Sequence, residues 1–358
     1  MTSENTPQQG ALPPGDERVR KVSTLSRVLG RPELAAVALA ILVWVFFAVI
    51  ARDNNFVSWT TTAAILNRAA PLGILAMAVA LLMIAGEFDL SIGSIVGFTG
   101  MAIMVLVTPA SAGGFGWGMW PALLAAAVIA VAVGLFNGTL VITTRLPSFI
   151  ITLGSLYIFR GLAVAIPRMQ TNRTQLGGLD QVPGFDFFGR VFGTKIDVFG
   201  ARFDIAILWW LGLIVLLTWM LLRTRFGNWI YGSGGDANAA RNTGVPVSRV
   251  KITLFVGTAL AALLVALIQA VQFNGADSLR GTLKEFEAII AVVVGGTLLT
   301  GGYGSVVGAM FGALIFAMVQ QGIIITGVDG DWFRVFVGAV LVAGVVFNNF
   351  IRQRAARR

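Results

Sequence analysis

Residues 69–109 read AAPLGILAMAVALLMIAGEFDLSIGSIVGFTGMAIMVLVTP. Two apolar runs, 69–86 and 92–109, flank a short segment that holds Glu87 and Asp89. A helix needs about 20 apolar residues to cross a hydrocarbon core, and each run approaches that length. Eight further runs of the same kind lie outside this stretch, at 33–51, 118–142, 148–166, 204–222, 252–273, 286–300, 304–326 and 332–351. The pattern predicts an all-α, polytopic transmembrane helical bundle of about ten spans. Runs 69–86 and 286–300 are short and border glycine-rich stretches. Such spans mark broken helices beside a transport pathway or ordinary close packing of helices through glycine.

The whole composition agrees. Of 358 residues, 56% are hydrophobic and 12% charged, against about 45–50% and 25% in soluble domains. The mean hydropathy is +0.83. The 43 glycines also suit membrane helices. Cys and His are both missing from the sequence, which excludes disulfides, thiolate chemistry and a Ser-His-Asp arrangement. No catalytic residue, metal site or cofactor is expected. The net charge of +9 does not indicate nucleic acid, because the basic residues sit at the ends and between apolar runs, where membrane topology places them.

Charge placement also sets orientation. Residues 1–31 are polar and basic and read as a disordered cytoplasmic tail without signal-peptide features. The apolar domain covers 32–352, and residues 353–358 form a basic tail. Both ends inside requires an even number of spans. Arg145 and the loop 223–251 then fall in the cytoplasm, and 167–203 falls outside, where Gly177, Gly178, Pro183 and Gly184 mark it as irregular. Segment 54–68 reads as an interfacial helix on the outer face, because Arg68 at the bilayer centre would cost about 2.5–3.5 kcal/mol. A faint repeat, Gly93-Ser94-Ile95-Val96-Gly97 and Gly304-Ser305-Val306-Val307-Gly308, opens an apolar helix leaving the cytoplasmic side in each case.

Four polar motifs stand out. In 86–94, Asp89 or Ser91 can cap the following helix, or Glu87 and Asp89 can form an ion-coupling pair. Capping is the favoured reading, since no intramembrane Arg, Lys or His is in view to complete a relay. In the loop 231–247, Asp236 can cap a short helix that runs through Ala239, Ala240 and Arg241, and Gly244 can end it before Pro246. Such an exposed helix suits docking into a partner's groove, and equally a surface helix with no partner. In 145–161, Pro147 starts a span, and Thr152 and Ser155 bond back to their helix or face a polar pathway. Gln269, Gln272 and Asn274 close the seventh span with uncharged amides, which suit a neutral polyhydroxyl ligand or a membrane–water boundary. Asp89, Ser91, Asn137, Thr152, Gln272 and Asn274 are the candidates for a translocation pathway. No G-x-x-x-x-G-K-[ST] motif occurs, so an ATP-driven reaction would need a separate ATPase.

At these residues the chain resembles the ribose/xylose-type permeases of bacterial ATP-binding-cassette (ABC) importers, over nearly everything from residue 33 onward. Residues 86–94 are similar to that family's glycine-isoleucine-aspartate-leucine-serine signature. Residues 147–161 resemble its proline-phenylalanine and threonine-leucine-glycine stretch. Residues 285–308, from Glu287-Ala288-Ile289 through Gly295-Gly296-Thr297 to Gly301-Gly302-Tyr303-Gly304, match a third signature. The loop 231–247 resembles the ATPase-coupling loop, with Gly234, Asp236, Ala239, Ala240, Arg241 and Gly244 as its residues. Asn238 stands where ABC permeases in general carry a glutamate in such a loop.

The resemblance implies a permease for a monosaccharide or similar neutral solute in the bacterial inner membrane, in contact with membrane lipid. Its implied partners are ABC ATPase subunits, a periplasmic solute-binding protein and a second permease copy as a homodimer, with no nucleic acid. The alternatives are an ion-coupled secondary transporter and an ABC permease for an amino acid or a nucleoside.

Overall fold

The computed structural model describes residues 32–339 and residue 342. Both tails expected from the sequence lie outside the described residues. So does most of the expected span 332–351, of which 332–339 are helical. The main helices are α1 (Pro32–Ile50), α2 (Trp59–Ile84), α3 (Ile92–Val107), α4 (Met119–Thr144), α5 (Ser148–Thr171) and α6 (Ala206–Arg223). They continue with α7 (Arg225–Gly235), α8 (Ala237–Asn242), α9 (Val247–Gln272), α10 (Lys284–Val294) and α11 (Val306–Ile325).

Among the described residues, seven helices are long and apolar enough to cross a membrane: α1, α2, α4, α5, α6, α9 and α11. Runs 92–109 and 286–300 do not become full spans. Helix α3 has 16 residues and α10 has 11, about 24 and 16 Å at roughly 1.5 Å per residue, short of a core of about 30 Å. Of the two runs expected to be broken, 286–300 is a half-helix, but 69–86 is not: it lies within the continuous 26-residue α2, and the second half-helix is α3 instead.

The expected interfacial helix at 54–68 is also corrected. Ser58 accepts a hydrogen bond from the Thr61 N–H and caps a helix that runs unbroken to Ile84. Arg68 is tolerated within it because the residue is exposed and lines a cavity rather than lipid. Burial ranks the helices. In α2, 72% of the apolar window is buried, against 17% in α1, so α2 is a central pillar and α1 faces outward. The second pillar, α9, packs on α4. Gly134 and Gly138 of α4 make that approach possible, since a Cβ at Gly134 would lie 2.5 Å from the Val256 Cα.

The loop 167–203 is more ordered than its glycines and prolines suggest. Strand β1 (Gln175–Gly177) pairs antiparallel with β4 (Gly275–Asp277), and β2 (Lys195–Val198) with β3 (Ala201–Asp204). Phe199 and Gly200 both adopt positive φ, the two-residue turn that matches the twist of a hairpin.

Candidate functional site

Segment 85–91 joins α2 to α3 without helix. It starts at the end of the chain that carries α7 and α8, where Glu87 pairs with Lys251 at 2.5 Å. Two residues later, Thr258 Oγ1 donates to Asp89 Oδ2 at 2.6 Å, and Thr258 lies near the middle of the 26-residue α9. The segment therefore climbs to mid-depth before α3 begins. The repeat at Gly93–Gly97 opens its helix there, whereas Gly304–Gly308 opens α11 at the end of the bundle that carries α7 and α8, so the two copies do not start at one level. Of the two acids of this segment, Glu87 has a basic partner, Lys251 at the start of α9, and Asp89 has no ion pair among the described residues; elsewhere Arg160 reaches Glu285.

Backbone N–H groups freed by this break meet hydroxyls. Ser148 Oγ accepts from the Phe88 N–H at 2.9 Å and Thr152 Oγ1 from the Leu90 N–H at 3.1 Å. Asp89 is fully buried. Its Oδ1 accepts from the Ser91 N–H at 2.9 Å and from Ser91 Oγ at 2.6 Å. Asn137 Nδ2 donates onward to Ser91 Oγ at 2.9 Å, and Ser155 Oγ donates to Asn137 Oδ1 at 2.5 Å. Three pathway candidates, Asp89, Ser91 and Asn137, thus join Thr258 of α9 to Ser155 of α5 in one chain of side-chain hydrogen bonds, and the fourth, Thr152, holds the backbone of the same segment. The acidic end of this network sits at the α3 N-terminus, where the helix dipole favours negative charge. Thr258 was not foreseen, because one hydroxyl in an apolar run carries no pattern.

The mirror arrangement lies opposite. Residues 278–283 precede α10 and pack against the first turns of α3. A Cβ at Gly93 would meet Glu285 Oε2 at 2.0 Å and the Gly281 carbonyl at 2.4 Å. Arg160 Nη1 donates to Thr282 Oγ1 at 2.8 Å and its Nη2 lies 4.0 Å from Glu285 Oε2. Helices α3 and α10 thus point their N-termini toward one region at mid-depth. Glu87-Phe88-Asp89 before α3 recurs as Glu285-Phe286-Glu287 in the first turn of α10.

Gln272 and Asn274 sit apart from this network and from each other. Asn274 Nδ2 donates to Asp180 Oδ1 at 2.8 Å and its Oδ1 accepts from the Asp180 N–H, which ties the outer loop down. Gln272 lines a cavity of about 400 Å³ between α2, α9 and α11, with Arg68, Asp204, Gln269, Lys284 and Gln320. The Asp204 carboxyl is pushed above its ordinary range by burial, with Lys195 opposing the rise.

At the other end, three main-chain segments cross. The Gly302 N–H donates to the Ile84 carbonyl at 2.8 Å. A Cβ at Gly234 of α7 would lie 1.8 Å from that same oxygen, and one at Gly301 would lie 2.8 Å from the Gly86 Cα. Tyr231 Oη donates to the Gly304 carbonyl at 2.9 Å. Beyond this junction comes α8. Asp236 Oδ1 caps it by accepting from the Asn238 and Ala239 N–H groups at 2.9 and 3.0 Å. Ala240 is buried against the bundle, Arg241 Nη1 donates to Asn238 Oδ1 at 3.0 Å, and Gly244 ends the turn at φ +87. Asn238, Ala239, Arg241 and Gly244 are exposed.

A many-pass helical protein in which two half-helices meet at mid-depth has the architecture of a transport pathway. The family described as "Branched-chain amino acid transport system / permease component" matches residues 61–345, and the chain belongs to it.

Three characterised relatives are similar over most of their length. The xylose transport system permease of Escherichia coli (strain K12) is 29% identical over 89% of this chain and 94% of its own. The fructose import permease of Rhizobium meliloti is 31% identical over 90% and 87%. The ribose import permease of Escherichia coli (strain K12) is 29% identical over 87% and 92%. No solved structure matches the chain.

Proposed function

We propose that the chain is the membrane-spanning permease subunit of an ABC importer for a monosaccharide or similar neutral solute. The observation that carries this reading is the end-to-end likeness to three permeases named for xylose, fructose and ribose. The solute enters from the outer cavity and passes the meeting point of α3 and α10. Asp89, Ser91, Asn137 and Thr152 hold the α3 break open as a fixed non-helical crossing, Gln272 contributes to the cavity, and Asn274 anchors the outer loop.

ATP is hydrolysed by separate ATPase subunits. They dock on α8 and its flanks, at Gly234, Asp236, Ala239, Ala240, Arg241 and Gly244. A periplasmic binding protein delivers the solute to the opposite face. Two copies of the chain, surrounded by inner-membrane lipid and with both termini in the cytoplasm, complete the pathway.

Uptake into vesicles carrying the chain with its ATPase and binding protein tests this. Uptake should stop when ATP is withdrawn, and a proton or sodium gradient should not restore it. Gradient-driven uptake without ATP would refute the reading.

A further inference from the structure

The outer cavity has a chemical character that its position does not require. Gln269 and Gln272 project from one face of α9, three residues apart, and Gln320 comes from α11. The Gln269 Oε1 atom is buried without a hydrogen-bond partner. Gln272 and Gln320 also carry no side-chain hydrogen bond to any described residue. An unpaired buried amide oxygen costs about 1–3 kcal/mol, a cost that falls on Gln269 alone; the half-buried Gln272 and Gln320 amides beside it are free to meet an occupant that supplies donors and acceptors together. Pro71 also lines the cavity and has no N–H, which deprives the Asn67 carbonyl of its helical donor.

Charge defines the occupant further. Lys284 is paired with Glu287. Arg68 and Asp204 remain, with opposite signs. The lining is therefore close to neutral, and its recognition groups are amides. About 400 Å³ lies in the lower part of the ~300–1,000 Å³ range of small-molecule pockets.

We propose that the permease holds its own binding site for one neutral polyhydroxylated molecule in this cavity, with Gln269, Gln272 and Gln320 as its specificity groups. This deepens the importer reading and rests on it for the solute class, but the site is a property of this chain without its partners.

The test is ligand-observed saturation-transfer NMR on the purified full chain in detergent micelles, with xylose, ribose, fructose and leucine as separate probes and no ATPase or binding protein. The three sugars should receive saturation. The double variant Gln269→Leu/Gln272→Leu should weaken them about tenfold, the effect of losing a few hydrogen bonds. Gln320→Leu should weaken them less. Gln321→Leu removes a neighbouring buried amide that does not line the cavity, and it should change nothing.

Should the double variant not give a folded, monodisperse sample, Gln320→Leu alone decides. Undiminished sugar saturation in that variant, no sugar saturation in the wild type, or saturation of leucine alone would each overturn the proposal. Failure of ATP-dependent vesicle uptake with sugar binding intact would instead remove the importer reading and leave the site standing.

Discussion

The two ends of the bundle are built on opposite rules. At the α7–α8 end, Gly234, Gly301 and Gly302 bring three main chains together with no room for a Cβ, and Gly86 supplies a positive φ beside them. At the other end, α2, α9 and α11 part around a cavity lined by three glutamines, of which Gln269 holds a buried amide oxygen with no hydrogen-bond partner. Contacts between backbones cannot slide past one another as rotamers can, so a push on α7 passes directly to the ends of both helix breaks. The open end can take up that displacement, since its polar groups are not committed to protein partners. The pattern suits a machine driven from one face and loaded from the other.

The sharpest way to break the contrast is Gly234→Val. Its Cβ would sit on the Ile84 carbonyl, so thermal unfolding in micelles should show a loss on the order of 3 kcal/mol, the upper end for overpacking. Asp89→Ala comes next. It strands the Ser91 donors inside the bundle, while Thr258 keeps the Phe255 carbonyl as an acceptor, and should cost about 2 kcal/mol, with the far-ultraviolet helix signal unchanged.

Gly244→Val separates contact from packing. Nothing lies near a Cβ there, and the left-handed backbone alone costs about 1–2 kcal/mol. The protein should remain folded and inserted while ATPase stimulation by the complex is lost. Unchanged stimulation would remove this loop from the coupling. Glu87→Gln should be milder, about 1 kcal/mol, because the amide oxygen still accepts from Lys251 in a pair whose side chains are 12% and 13% exposed. Arg241→Ala, on the exposed flank of α8, should change stability by less than about 0.5 kcal/mol.

Much of this was legible in the sequence, for identifiable reasons. Span length and hydropathy located the bundle, because the bilayer fixes how much apolar chain a crossing needs. Asp236 and Gly244 announced α8, because caps act locally. Helix α2 was harder. Arg68 and the threonines near its start looked interfacial, and only the cavity beside them shows why the helix continues. The Asp89 network was half legible. Asp89, Ser91, Asn137 and Thr152 stood out as polar residues in apolar surroundings, but their joining depends on four helices meeting. Arg160 and Lys251 were in plain sight, yet their acids lie far away in sequence, at Glu285 and Glu87. Gln320 gave no signal of its own, since a lone amide near a helix end is ordinary.

The half-helices also constrain how the protein is made. An 11-residue α10 is too short to be accepted by the membrane as a span, and the chain leading into it lacks helical hydrogen bonds of its own. It can settle at mid-depth only when other protein already shields it. Its closest partner is α11, where a Cβ at Gly312 would lie 1.8 Å from the Ala291 carbonyl, and α11 emerges later in synthesis. The half of the pathway between mid-depth and the α7–α8 end is therefore completed late, and a chain halted between α10 and α11 would leave that crossing unsheltered.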